Sequence, residues 1–239
     1  MITIGIAEDN ATEREQLKNA ISGYPKDYKL LFAAKDGKDC LQQLKKHPPN
    51  ILLLDINMPF VTGLIITTWC SYKHADTKII GVSSHTNENL IREVITECAK
   101  AFISKYFLSP ESIIYKEALE GADLLKEAIT KVYNSERFID KLVMNNPELF
   151  KPSICSREII AKDFPNLKHD HILFAILNTT DLSYEEIAAL MDISLHTVKS
   201  YYQKLANQFK VSGRTNLANY CMRHGIVKFA GFYDNSFIK

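Results

Sequence analysis

Five polar side chains in the first 105 residues sit where an apolar run stops. Glu8 and Asp9 follow ITIGIA, Asp55 ends ILLLD, Ser83 ends KIIGVS, and Lys105 follows AFIS. In an open α/β sheet, ligands lie outside the carboxyl ends of parallel strands. If these runs are such strands, the five side chains converge on one pocket. Three carboxylates brought together repel one another unless a hard cation joins them. Mg2+ takes oxygen ligands and keeps several waters, so it suits such a set. One carboxylate can then attack phosphorus and become an aspartyl phosphate. A lysine and a metal offset charge on phosphoryl oxygens, and the Ser83 hydroxyl can donate a hydrogen bond to the product. Plainer readings stand beside this one. Asp55 could cap a turn, Glu8 and Asp9 could be a solvated loop, and Lys105 alone reads as a surface lysine. The serine register could also fall on Ser84.

The surrounding pattern supplies the elements that such a pocket needs. Ile2, Ile4 and Ile6 mark a first strand, and Ala11 to Ser22 a helix with Leu17, Ala20 and Ile21 on one face. KLLFAA (29–34) reads as a strand and Gly37 to Lys46 as a helix stopped by His47-Pro48-Pro49. ILLLD (51–55) is apolar throughout, as a strand covered on both faces is. Gly63 to Tyr72 reads as a helix, Lys78 to Ser83 as a strand, Asn87 to Cys98 as a helix and Ala101 to Ser104 as a short strand. Five β/α units in series predict a doubly wound five-stranded parallel sheet. A short helix is expected over Glu111 to Leu119, and Ala122 to Tyr133 is the expected last helix of this half. Residues 134–166, with Pro147, Pro152 and Pro165, read as a partly helical connector. From Leu167 no strand pattern remains, and four short helices are expected.

The bulk numbers fit two ordinary domains. The chain has 239 residues, 46% apolar and 24% charged, with a net charge of +1. That is a folded composition, and the balance excludes a histone-like basic coat while leaving room for a local basic face. Five scattered cysteines without a C-x-x-C pair read as reduced thiols in a cytosol. The opening MITIGIAEDN lacks the basic stretch of a secretory signal. No run approaches the roughly 18 apolar residues of a membrane span. A cytoplasmic location with no membrane contact is expected.

Residues 1–133 resemble a receiver domain of a two-component response regulator. The resemblance rests on Glu8-Asp9, on Asp55-Ile-Asn-Met-Pro59 with Gly63, on Ser83 and on Lys105, all in register. It implies the flavodoxin-like receiver fold and phosphoryl transfer to Asp55 from a sensor histidine kinase. It implies Mg2+ on Asp9, Asp55 and the backbone carbonyl of Asn57, with Glu8 joining through water. Phe102 falls at the position of the family's switch aromatic, acting with Ser83, though plain core is an equal reading. Two departures stand out. Tyr106 replaces the usual proline after Lys105, so a trans peptide and an altered loop are expected, because a non-proline cis bond costs about 2.5–4 kcal/mol. The stretch from Tyr106 to Gly121 is also longer than usual.

In the last third, Ser183-x-x-Glu186 is a capping box, and Ser194 is placed to cap the next helix. Helix, tight turn MDIS and second helix give a helix-turn-helix plan. Val198, Leu205 and Phe209 share a core-facing stripe, leaving Lys199, Ser200, Gln203 and Lys204 outward. Such polar side chains suit major-groove reading and equally suit a solvated face. Residues 167–228 resemble the LuxR/NarL-type helix-turn-helix. The matching residues are Leu182-Ser183-x-x-Glu186-Ile187-Ala188, Ile193-Ser194-x-x-Thr197-Val198-Lys199, Lys204-Leu205, Val211-x-x-Arg214-Thr215 and Arg223-His224-Gly225-Ile226. The resemblance implies double-stranded DNA as partner, with Lys199, Ser200 and Gln203 on bases or phosphates and Thr197 and Tyr201 at the edge. Arg214 is either a phosphate contact or an intradomain donor. One of Tyr201 and Tyr202 is expected to pack. The segment KHDHILF before Asp181 departs from the family pattern. The expected division is a receiver at 1–133, a linker at 134–166, a DNA-binding domain at 167–228 and a tail at 229–239.

The reading is therefore a transcription regulator controlled by phosphorylation, a homodimer once phosphorylated, and no enzyme beyond its own Mg-dependent turnover at Asp55. Two alternatives remain: a protein-binding adaptor that uses the helical domain without DNA, and an aspartate-nucleophile phosphatase. Asn57 argues against the second, because that class usually carries another aspartate there.

Overall fold

The computed structural model describes residues 1–84, 88–97, 99–108, 124–141 and 154–228. The expected helix over Glu111 to Leu119 and the tail at 229–239 lie outside the described residues. Among them, no helix is long and apolar enough to cross a membrane.

The first half runs β1 (Ile2–Ala7), α1 (Ala11–Ser22), β2 (Tyr28–Ala34), α2 (Gly37–Lys46), β3 (Ile51–Asp55), α3 (Gly63–Lys73), β4 (Lys78–Ser83), α4 (Glu88–Thr96) and β5 (Ala101–Ser104). A 3-10 turn at Lys105–Leu108 follows, then α5 (Leu124–Tyr133) and β6 (Phe138–Ile139). The strands line up β2-β1-β3-β4-β5-β6, and every pairing is parallel. All five residues of β3 are buried, as its unbroken apolar run requires. Side-chain oxygens of Asn10, Asp36 and Thr62 cap the N-termini of α1, α2 and α3.

Among the described residues the sheet has six strands, where five were expected. Phe138 and Ile139 pair with Ala101 and Phe102 of β5. A two-residue strand is too short to show an alternating pattern, so only its partner reveals it. Asp140, directly after it, is buried; its Oδ2 accepts the Ser104 N–H at 3.2 Å and its own N–H donates to the Phe102 carbonyl at 3.0 Å. The Lys105–Tyr106 peptide is trans, and the altered loop is the 3-10 turn.

The second half holds α6 (Ser156–Asp163), α7 (His169–Asn178), α8 (Tyr184–Met191), α9 (Leu195–Phe209) and α10 (Arg214–Arg223). The four helices expected beyond Leu167 are α7 to α10. The described parts of 134–166 contribute β6 to the sheet and α6 to the helical half, where Phe164 meets Phe209 edge-on at 5.7 Å. The capping box is present. Ser183 Oγ accepts the Glu186 N–H at 3.2 Å, and Glu186 Oε2 accepts the Ser183 N–H at 2.7 Å.

Helix α3 explains how the halves meet. Gly63 to Cys70 are all buried, so this helix is covered all round rather than along one stripe. Leu64, Ile65 and Ile66 share one apolar cluster with Leu52, Leu54 and Ile79 of the sheet, and α7 packs against the helix from the other half. Trp69 and Cys70 lie in one apolar cluster with Leu173, Phe174 and Leu190 of the helical half. Ion pairs rim the contact: Lys38 with Glu186, Lys45 with Asp192 at 2.5 Å, and Lys228 with Glu93 at 3.0 Å.

Candidate phosphoryl pocket and nucleic-acid interface

The five strand-end residues do converge. β1, β3, β4 and β5 run parallel in register, so Glu8, Asp55, Ser83 and Lys105 leave the same end of the sheet. Carboxylate oxygens of Glu8, Asp9 and Asp55 lie within 4.8 Å of one another. Glu8 and Asp55 are buried and Asp9 is exposed, which leaves the group open on one side. Three carboxylates without sulfur or imidazole suit a hard, oxygen-seeking cation such as Mg2+. Asp55 Oδ1 accepts the Asn57 N–H at 3.1 Å, and Oδ2 lies 3.1 Å from Lys105 Nζ. Ser83 is buried and Ser84 exposed, which favours Ser83 as the pocket hydroxyl. Phe102 is fully buried; a Cβ built on Gly81 would come within 3.1 Å of its ring.

Charge is dense here. Burial pushes the Glu8 carboxyl up to about 7, against the hydrogen bond from Lys105 and with repulsion from Asp55 added. Burial also raises Asp55, opposed by the Lys105 charge and the Asn57 N–H. Burial by itself would lower Lys105, but hydrogen bonds to Glu13 and Glu8 outweigh it and hold the ammonium above its usual range. The lysine is therefore charged at neutral pH.

Two residues of this site escaped the sequence reading. Arg14 Nη1 donates to the Glu8 and Asp9 carbonyls at 2.8 and 3.2 Å, clamping the acidic loop. Glu13 Oε2 meets Lys105 Nζ at 2.6 Å. Both lie in the first turn of α1, directly after the acidic pair, and that position was the available signal. Gly63 has its own reason: a Cβ there would fall 2.3 Å from the Asp55 carbonyl oxygen, so only glycine lets α3 start this close to β3.

In the helical half, Ser194 Oγ caps α9 by accepting the Thr197 N–H at 3.1 Å, and Thr197 is half-buried. Val198 and Leu205 are buried; Lys199, Gln203 and Lys204 are exposed and Ser200 is half-exposed. The outward face of α9 is thus open, although the halves are docked. Both tyrosines pack, where one was expected to. The Tyr201 ring lies 4.9 Å from His171, with its hydroxyl donating to Asp170 at 3.3 Å. The Tyr202 hydroxyl accepts the Gly213 N–H at 2.8 Å. Of the two roles left open for Arg214, the structure shows the intradomain one. Its Nη2 donates to the Thr180 and Leu182 carbonyls at 2.9 and 2.6 Å, and the guanidinium sits over the Tyr184 ring at 5.1 Å.

A parallel sheet whose strand ends gather an acidic trio, a serine and a lysine defines a phosphoryl-accepting receiver. Residues 4–116 match the response regulator receiver domain. The chain is similar over nearly its whole length to curated relatives. Response regulator UvrY of Escherichia coli (strain K12) is 24% identical over 226 residues, covering 95% of this chain and 96% of that protein. Transcriptional regulatory protein DegU of Brevibacillus brevis is 26% identical over 241 residues, with 95% of each covered. Among solved structures, the response regulator RcsB of Salmonella typhimurium superposes with a TM-score of 0.53 at 16% identity, over 92% of this chain and 98% of that one. RcsB dimers bound to two parallel DNAs superpose with a TM-score of 0.51 at 17% identity, over 92% and 96%. At these identities the structural likeness speaks to the fold.

Proposed function

We propose that this chain is a transcription regulator whose DNA binding is set by phosphorylation of Asp55. The observation that carries the reading is the placement of the Asp55 carboxylate, buried at the tip of β3, beside the acidic trio and 3.1 Å from the Lys105 ammonium. Asp55 supplies the attacking oxygen: a bond forms from Oδ to phosphorus as the bond from phosphorus to the donor's leaving group breaks. Lys105 offsets charge on the transferred oxygens, and Ser83 donates to one of them. Glu8, Asp9, Asp55 and the Asn57 carbonyl would hold Mg2+, which supplies further charge neutralisation when bound. The donor is a sensor kinase's phosphohistidine. Ser83 and the Phe102 ring form the switch, and α4, between them in sequence, relays it.

The open face of α9, with Lys199, Ser200, Gln203 and Lys204 and with Thr197 and Tyr201 at its edge, enters the DNA major groove. Relatives that are transcription regulators across their full length, and RcsB bound to DNA, support that assignment. The phosphorylated chain acts as a homodimer in the cytoplasm. In this reading the receiver extends through Ile139 and the DNA-binding domain begins at α6.

Incubation with acetyl phosphate and Mg2+ should give an acid-stable, base-labile phosphoprotein that Asp55→Asn cannot form. Label retained in that variant would mean a different acceptor.

A further inference from the structure

The pocket contains a fourth carboxylate with no place in the acidic trio. Helix α1 begins at an Asn10 cap whose Oδ1 accepts the Thr12 and Glu13 N–H groups at 2.9 and 3.2 Å. Glu13 is the third helical residue. A glutamate there ordinarily turns back to the cap's own N–H and completes a capping box. Here Glu8 Oε1 takes that N–H at 3.2 Å. The Glu13 side chain is released from its local role and reaches Lys105 Nζ at 2.6 Å.

An ammonium has three donors and no more. On Lys105 the nitrogen lies 2.7 Å from Glu8, 2.6 Å from Glu13 and 3.1 Å from Asp55, and it donates a hydrogen bond to Glu13. A phosphoryl oxygen therefore meets an ammonium already held among three carboxylates. Glu8 and Asp55 also belong to the trio suited to a cation. Glu13 does not, so its hold on the lysine persists when the other two turn to a metal.

We propose that Glu13 is a positioning residue of the phosphoryl pocket, holding the Lys105 ammonium toward α1 and competing for it with the incoming phosphoryl oxygens. This rests on the proposed function, and its effect is to slow loading of Asp55. Removing the charge frees a lysine donor and lessens the repulsion felt by an anionic donor molecule.

Two arms test it, with Glu13→Gln as the variant. Glu15→Gln is the control, because Glu15 lies on the same helix but pairs with Lys18 outside the pocket. In the first arm, metal-free protein is labelled with trace acetic anhydride, and acetylation of Lys105 is read by mass spectrometry against the exposed Lys29. Losing a carboxylate partner lowers the ammonium's proton affinity, so labelling of Lys105 should rise at least about threefold in Glu13→Gln. In the second arm, loading by acetyl phosphate with Mg2+ should speed up by at least about threefold. Glu15→Gln should leave both unchanged. If Glu13 serves only the helix N-terminus, Glu13→Gln shifts thermal stability and moves neither arm, which overturns the proposal. Wild type that never loads would defeat the phosphorylation reading, while the labelling arm would still decide the Glu13–Lys105 pairing.

Discussion

The Glu97 carboxylate accepts the backbone N–H of Ser156 at 2.8 Å, joining the end of α4 to the start of α6. Its other oxygen accepts the Thr68 hydroxyl of α3 at 3.1 Å, and the side chain is only 2% exposed. One receiver carboxylate thus caps a helix of the other half. Glu93, one turn earlier on α4, pairs with Lys228. The segment that follows Ser83 therefore grips the helical domain directly.

Glu97→Ala should loosen that grip by roughly 1–3 kcal/mol, because two donors lose their acceptor. Trp69 is the single tryptophan, fully buried where α3 meets the helical half. Its emission against urea should shift to longer wavelength at a lower midpoint in the variant. An unchanged midpoint would show that the cap contributes nothing to docking.

Docking should also depend on pH through Glu97. Burial raises this carboxyl above its usual value of 4.5, against hydrogen bonds from Ser156. The docked form therefore binds a proton more readily than the open form. The penalty for burying the charge is relieved as pH falls through the raised value, and it is fully present above that value. Glu97→Gln keeps an acceptor and carries no charge. The wild-type urea midpoint, less that of Glu97→Gln, should increase on acidification toward 4.5. His74 and His171, both lowered by burial, act in the opposite sense in both proteins and cancel in the difference.

Lys38→Glu and Lys45→Glu reverse the charges facing Glu186 and Asp192. These pairs are partly exposed, so each change should cost roughly 0.2–1 kcal/mol of docking. The cost should shrink in high salt. Urea titrations at low and high ionic strength would reveal a salt-independent loss if packing rather than charge were at stake.

Gly63→Ala should destabilise the receiver by about 1–3 kcal/mol, because the new methyl group would press on the Asp55 backbone. Phosphoryl loading should fall with it, since the same backbone carries the acceptor. Wild-type melting and loading in this variant would contradict the close approach of α3 to β3.

Arg214→Ala and Lys199→Ala should separate cleanly. Arg214 holds two carbonyls, so its loss should lower the unfolding free energy by roughly 1–3 kcal/mol. Lys199 is exposed on α9, so its loss should spare stability, weaken DNA binding and reduce the salt slope by about 1. A reduced salt slope in Arg214→Ala would place that guanidinium on phosphate instead.

Local chemistry carried much of this protein in its sequence. Apolar runs ending in Glu8, Asp55, Ser83 and Lys105 predicted the strands and the end of the sheet at which they meet, because a strand buried on both faces has little choice of residue. The Ser183–Glu186 box and the Ser194 cap were legible for the same reason: each acts within one helical turn. Other features depended on contacts between residues far apart in the chain. β6 exists through its pairing with β5, since two residues carry no period. Glu13 joins Lys105 across 92 positions, and only the packed fold shows that Glu8 has displaced it from its cap. Arg214 looked equally suited to phosphate or carbonyl until the turn at Thr180 and Leu182 was in place. The burial of α3 from Gly63 to Cys70 marked a second covering layer that its sequence could suggest but not identify; α7 provides it.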